Sequence, residues 1–311
     1  MTNLYRSCRL CPHRCGVNRN VTAGLCGATD EMVLATAALH FGEEPPLTPT
    51  GGSGAFFFAN CQLNCPFCQN YQISHFGMGK KIDVNQLVDL MLTMQQLEAD
   101  NINLVSATPY LPSIITAIKE ARGQGLILPI VWNSGGYEEV SSLKLLADEV
   151  KIYLPDLKTL NTLTAKTLYK DDYVAKALES LHYLAANFPL IYENGLLKQG
   201  VILRHLALPA KLEETEEVIA YFAKYFKDKI LLSLLTQYTP VVIPGEGRLI
   251  PNRCLNKNEE QKLIKLLQKY DINEGFFQDL VLGDWLPNFK ENKSFKGNLA
   301  KTIWHWSQNT V

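Results

Sequence analysis

The feature that most restricts the fold of this chain is a recurrence. From residue 54 onward, a short and almost unbroken apolar run is followed by an amphipathic stretch, several times over. The runs are "GAFFFA" (54–59), "INLVS" (102–106), "LPIVW" (128–132), "VKIYLPDL" (150–157), "GVILRHLAL" (200–208) and "KILLSLL" (229–235). A strand covered on both faces needs apolar side chains at consecutive positions, so these read as six strands of a parallel sheet. Between them, "VNQLVDLMLTMQQLEA", "SIITAIKEARGQ", "EEVSSLKLLA", "YVAKALESLHYLAANF" and "LEETEEVIAYFAKYF" carry apolar residues three and four apart, the stripe of a helix laid on a sheet. The alternation predicts an α/β fold. Right-handed crossovers make it either a doubly wound sheet or a full or partial barrel, with ligands beyond the carboxyl ends of the strands.

The flanks read differently. "KNEEQKLIKLLQKY" predicts a last helix, capped by Asn256 with Glu259 reaching back from the third position. The aromatic-rich "GFFQDLVLGDWLPNF" is expected to pack on the barrel, and the tail after Asn292 to be loose. Residues 1–53 hold four cysteines, several glycines and little apolar periodicity, which suggests a small metal-held module leading through "HFGEEPPLTPTGGSG" into the main fold. The expected division is therefore 1–53, 54–250 and 251–311.

With 30 Lys+Arg against 31 Asp+Glu, the chain has no electrostatic footprint for nucleic acid or an anionic membrane. The opening "MTNLYRSCRLCPHRC" lacks an apolar core before a cleavage site, and no segment is long enough to cross a bilayer. A cytoplasmic protein is expected. In that reducing compartment eight cysteines point to metal rather than disulfides, and seven of them fall before residue 69. Cys254, alone, reads as a buried thiol.

Cys61-x3-Cys65-x2-Cys68 follows the first predicted strand directly. Three thiolates can hold three irons of a cubane cluster and leave the fourth open. A closed zinc site would need a fourth ligand, and the nearest candidate, His75, is a long step away. The polar neighbours Asn60, Gln62, Asn64 and Gln69 argue against simple burial. Cys8-x2-Cys11-x3-Cys15-x10-Cys26 supplies four thiolates, enough to close either a zinc site or a second 4Fe-4S cluster, with glycines at 16, 24 and 27 for tight turns. His13 can stand in for one of them.

The loop "CQLNCPFCQNYQIS" resembles the CxxxCxΦC loop of the radical S-adenosylmethionine superfamily, with Phe67 as the aromatic residue. More narrowly, "CRLCPHRCGVNR", "LHFGEEPPL", "INLVSATPYLP", "VWNSGGYE", "IYLPDLK", "RHLALP" and "LTQYTP" resemble, in order, segments of proteins related to pyruvate formate-lyase-activating enzymes. The resemblance implies a partial (β/α)6 TIM-type barrel and a 4Fe-4S cluster on Cys61, Cys65 and Cys68. It implies S-adenosylmethionine chelated at the open iron and cleaved to a 5′-deoxyadenosyl radical that abstracts hydrogen. A protein substrate converted to a glycyl radical, and an electron donor such as flavodoxin or ferredoxin, follow from the same likeness.

The resemblance also distributes further cofactor contacts, beginning with Phe67. Ser106-Ala107-Thr108-Pro109-Tyr110 stands where the activating enzymes have a Gly-Gly-Glu-type turn, so Thr108 becomes the candidate for the amino-group contact, against a plain turn. Asn133 and Ser134, before two glycines, are candidates for the ribose; the alternative is a tight turn with Ser134 capping the next helix. Asp156 and Lys158, in "PDLK", can bind the cofactor carboxylate or a substrate backbone, or pair with each other. Arg204 suits the carboxylate by a bidentate contact, whereas His205 reads as structural. Pro209-Ala210 replaces the family's Pro-Gly, and Gln237 and Tyr238 are expected on the substrate side. The competing class is a non-catalytic scaffold in which both cysteine groups hold zinc and dock a partner.

Overall fold

The computed structural model describes residues 2–244, 250–280 and 286–308. Its first sheet element, β1 (Met32–His40), lies inside the stretch expected to be a cysteine-rich module. The alanine-rich "MVLATAALH" shows neither alternation nor a β-branched run, so the pattern hides it. In the sheet it is almost wholly buried, antiparallel to β2 (Ser53–Phe58), and also pairs β3 (Lys80–Ile82). Only residues 2–31, with one turn of 3-10 helix at Thr2–Tyr5, precede the sheet. The sheet therefore begins before residue 54, inside the stretch expected to be the N-terminal module.

The short α1 (Tyr71–Ser74) follows the cysteine loop, and α2 (Val84–Gln96) leads to β4 (Asn101–Val105). Then come α3 (Leu111–Gly123), β5 (Ile130–Ser134), α4 (Val140–Leu146), β6 (Ile152–Pro155), α5 (Thr162–Leu168) and α6 (Tyr173–Asn187). A hairpin of β7 (Ile191–Glu193) and β8 (Leu196–Leu206) is followed by α7 (Leu212–Tyr225) and β9 (Leu231–Leu235). The chain closes with α8 (Lys257–Lys269), β10 (Gly275–Phe277) and β11 (Ala300–His305).

The six expected strands are β2, β4, β5, β6, β8 and β9, neighbours in chain order and all parallel. β10 adds a parallel edge beside β9, and β11 pairs antiparallel with β1 at the other edge. The sheet is open and mostly parallel, as the expected partial barrel requires. The tail expected to be loose is instead the edge strand β11, with His305 and Ser294 buried. Asn256 accepts from Glu259 N–H at 3.0 Å and the Glu259 carboxylate returns the bond, the expected capping box. Of the aromatic stretch 275–289, residues 281–285 lie outside the described residues, as do 245–249 at the expected domain boundary; Phe289 is buried against Phe57.

One face of each parallel strand packs on helices: Phe56, Phe58, Leu104, Trp132, Tyr153, Leu203 and Leu234 belong to that layer. The other face holds Val131, Ile152, Leu154, Ile202 and Leu231, and these are covered from within the chain by Leu47. The segment before β2, expected as a linker, thus enters the concave side. Asn101 Nδ2 donates to the Leu47 carbonyl at 2.7 Å, and Leu197 N–H to that of Pro46 at 3.0 Å. Among the described residues no helix is long and apolar enough to cross a membrane.

Candidate active site

Strand β2 delivers the chain to the carboxyl end of the sheet, and the cysteine loop begins three residues later. Asn60 and Asn64 both take positive φ (68° and 52°), the left-handed backbone that asparagine tolerates better than most residues, and so fold the loop back over the strand ends. Asn60 Nδ2 donates to Tyr110 Oη at 2.7 Å, tying the loop to the segment after β4. Gln69 Nε2 donates to the Gln237 carbonyl at 2.8 Å, tying it to the segment after β9. The Phe67 ring sits edge-on to Tyr169 and Tyr238.

Cys61, Cys65 and Cys68 are half-buried, and each carries a free thiol. Burial pushes all three thiols above their ordinary range, and the nearby Lys158 ammonium opposes the shift. The Leu63 and Asn64 amides bond Cys61, the Asn70 amide bonds Cys68, and Ser74 Oγ donates to Cys68 Sγ at 3.2 Å. His75 lies behind this hydroxyl, its Nδ1 at 2.9 Å from Ser74 Oγ.

The strand-end residues sort by the period of two. Asp156 and Arg204 are bridged neighbours on the concave face, and Asn133, in register with Leu154, shares that face one layer deeper. Lys158 Nζ donates to Asp156 Oδ2 at 2.6 Å; burial opposes its charge, but Asp156 and Cys65 hold its pKa well above the ordinary value. His205 faces the helices, bonded to the Leu157 carbonyl and Thr215 at 2.7 and 3.0 Å, the structural role expected of it.

Arg204 does face the interior, but its Nε and Nη2 bond Glu44 at 2.8 and 2.6 Å, and Nη2 also bonds Glu43. Glu43 in turn accepts from Asn103 Nδ2 at 3.1 Å and lies 3.2 Å from His40 Nδ1. Burial alone would raise the Glu43 pKa, yet Arg204 and His40 hold it well below the carboxylate range. The bidentate partner of Arg204 is therefore Glu44, a residue of the chain. The signal was present in the quoted "LHFGEEPPL", where two adjacent acids sit in an otherwise apolar segment.

Two further expectations are redirected. Thr108 is 1% exposed, and its hydroxyl donates to Glu138 Oε1 at 2.6 Å, so that proton is committed. Ser134 Oγ accepts from Gly136 N–H at 3.3 Å, a turn bond; it does not cap α4, whose N-cap is Glu139. The Gly135-Gly136 pair serves protein packing. A Cβ on Gly135 would lie 2.5 Å from Leu63 Cδ1 of the cysteine loop, and one on Gly136 (φ 77°) would lie 2.0 Å from the Asp156 carbonyl. Tyr173 Oη closes the corner against Lys158 N–H and the carbonyls of Gly135 and Asp156.

Glu138 escaped the sequence reading. It is 2% exposed and accepts from Thr108 and from Gln62 Nε2 (3.3 Å), with Ser134 and the Trp132 indole as further donors beside its carboxyl. Burial pushes its pKa up to about 7 against these donors. Among the described residues no three His, Cys, Asp or Glu side chains converge closely enough to hold one metal ion.

Residues 56–200 match the family model of the radical SAM superfamily. An uncharacterized protein of Methanocaldococcus jannaschii is 30% identical over 279 residues, 87% of this chain and 77% of that protein. The chain belongs to the radical SAM superfamily. Among solved structures, a radical SAM methyltransferase from Sphaerobacter thermophilus has a TM-score of 0.51 at 12% identity, covering 76% of this chain and 67% of that one. SuiB of Streptococcus suis bound to S-adenosylmethionine has a TM-score of 0.51 at 13% identity over 70% of this chain and 48% of its own. These likenesses concern the fold. Superfamily membership implies a 4Fe-4S cluster and S-adenosylmethionine, and the donor set fits that cluster. Three soft sulfur donors lie together, N–H groups and a hydroxyl stabilise two of the sulfurs, and the Lys158 ammonium, paired with Asp156, lies beside them.

Proposed function

We propose that this radical SAM protein acts as an activating enzyme on a protein substrate, generating a glycyl radical on a backbone glycine. When bound, the reduced cluster and S-adenosylmethionine supply a 5′-deoxyadenosyl radical by reductive cleavage. The chain's own residues position and shield. Cys61, Cys65 and Cys68 would hold three irons, and Phe67, seated between Tyr169 and Tyr238, would exclude water beside them. Asn133 and Asp156 present hydrogen-bonding atoms from the concave face, and Lys158 places a positive charge next to Cys65.

The observation that carries the reading is the Cys61–Cys68 loop at the carboxyl end of the first parallel strand, tied by hydrogen bonds to the loops after β4 and β9. The choice of an activating enzyme rests on the ordered resemblance of seven further segments. Asp156 and Lys158 are only partly exposed and sit at the mouth, where a peptide backbone can bond to either. An electron carrier of the flavodoxin or ferredoxin kind completes the proposal, and eight unpaired cysteines suit a reducing cytoplasm.

The test is anaerobic reconstitution and reduction with S-adenosylmethionine, assaying 5′-deoxyadenosine in the intact protein and in Cys65→Ala. The intact protein is expected to form it and the variant to fall to background. A candidate glycyl-radical protein should then show the doublet of a glycyl radical by electron paramagnetic resonance. Stoichiometric zinc at the loop with no 5′-deoxyadenosine would overturn the enzyme; 5′-deoxyadenosine without a radical on any protein glycine would overturn the substrate class.

A further inference from the structure

The four N-terminal cysteines, separated by up to eighteen residues, line a single pocket. Cys8, Cys11, Cys15 and Cys26 share it with His13, Arg19, Gln62 and Thr108. No sheet or helix brings them together; the chain is wound by specific bonds. Cys8 N–H and O pair with Val17 O and Gly16 N–H, Arg14 N–H bonds the Cys11 carbonyl, and Gly27 N–H bonds the Gly24 carbonyl. Arg14, Gly16 and Gly27 take positive φ at the bends. Gly24 has no Cβ where one would stand 3.5 Å from Cys26 Sγ and 3.6 Å from Cys15 Sγ, so both sulfurs lie against bare backbone.

The sulfurs are also furnished with donors. The His13 amide bonds Cys11 and the Ala28 amide bonds Cys26, each two residues further on, and the Arg19 guanidinium lies 3.9 Å from Cys8 Sγ. The same two-residue reach recurs in the other group, from Leu63 to Cys61 and from Asn70 to Cys68. The first 30 residues hold four arginines against one aspartate, in a chain that is otherwise balanced. An excess of positive charge offsets the thiolates of a filled site.

We propose that this pocket binds a second 4Fe-4S cluster, each iron held by one of Cys8, Cys11, Cys15 and Cys26. The likeness of its hydrogen bonding to that of the Cys61–Cys68 loop points to the cluster, not zinc. A tetrahedral zinc ~2.3 Å from each sulfur draws its four thiolates to within ~4 Å of one another. The reach of an amide two residues on, from His13 to Cys11 and from Ala28 to Cys26, is the one seen at Cys61 and Cys68, in a superfamily that carries a cubane there. A cubane takes each thiolate at a separate iron, so its ligands stand apart. With four protein ligands this second cluster has no open iron.

Gln62 is the wall between the two groups. It follows Cys61 in the chain, its carbonyl is 2.7 Å from His13 Nε2, and its side chain lines the cysteine pocket while bonding Glu138.

The experiment counts metal in protein purified anaerobically and not reconstituted, so its readout does not depend on S-adenosylmethionine cleavage. Wild type should hold about eight irons and eight sulfides per chain, and a Cys61→Ala/Cys65→Ala/Cys68→Ala variant about four of each, with a Mössbauer spectrum of four-cysteine coordination. A Cys11→Ser/Cys26→Ser variant should drop wild type to about four while retaining the first cluster. Should that variant fail to fold, the triple variant still decides. One zinc per chain in the triple variant, or no metal in it, overturns the proposal, as does a wild-type protein saturating at about four irons.

Discussion

The two groups of cysteines are presented by opposite means. Cys61–Cys68 hang from the end of a parallel strand, and beside them Gly135 packs on Leu63 of the loop while Gly136 lies too close to the Asp156 carbonyl for a side chain. Cys8–Cys26 hang from no strand; they are gathered by turns, by the buried Arg19 and by the exposed Arg14, whose guanidinium bonds Glu139 at 2.6 and 2.8 Å. A site on a sheet inherits its rigidity from the fold, whereas a site on an irregular segment must carry its own hydrogen bonds. The first should fail with the sheet and the second on its own.

Gly136→Ala is the severest way to test that difference. Its Cβ would meet the Asp156 carbonyl in a backbone conformation only glycine adopts readily, so the variant should lose roughly 4 kcal/mol or more. Chemical denaturation should show the whole sheet transition shifting. Gly135→Ala, which meets only the end of the Leu63 side chain, should shift it far less. Equal shifts would mean the glycines are not packing residues.

Arg19→Met probes the other side. Arg19 is 1% exposed and donates to the carbonyls of Ala28, Thr29 and Pro109, and leaving those carbonyls unbonded should cost about 3 kcal/mol. Limited proteolysis should cut within residues 5–30 while the sheet transition stays in place. A single transition moving as a whole would erase the distinction between the two regions.

The smallest effect comes from Glu138, in the wall that both regions share. Its carboxyl goes from an unfolded value of 4.5 to about 7 in the folded chain, because burial disfavours the charge. Stability is then fully present below pH 4.5 and is lost as pH rises through 7. Glu138→Gln should be more stable than wild type at pH 8 by on the order of 2 to 3 kcal/mol, and equal to it near pH 4.5. A gap that does not vary with pH would show that the carboxyl is not strained by burial.

The six parallel strands and the helices between them were legible because double-sided burial writes continuous apolar runs. The helix Lys257–Lys269 was legible through its capping residues. β1 and β11 were not: one is rich in alanine and is held between β2 and β11, and the other, "AKTIWH", is short, half-exposed and a strand through its pairing with β1. At the site, ligand spacing announced the cysteines. The partners of Arg204 and Thr108 did not announce themselves, since a buried ion pair or hydroxyl bond depends on residues 160 and 30 positions away. Glu138 lay inside a quoted motif, and only its burial reveals it.

The segment around Glu43, Glu44 and Leu47 has one more implication. It fills the concave side below Arg204 with the chain's own residues, while Asp156 beyond it stays partly exposed. Beyond that filling, the partly exposed Asp156 and Lys158 are what the strand ends offer to anything that approaches the cysteine loop.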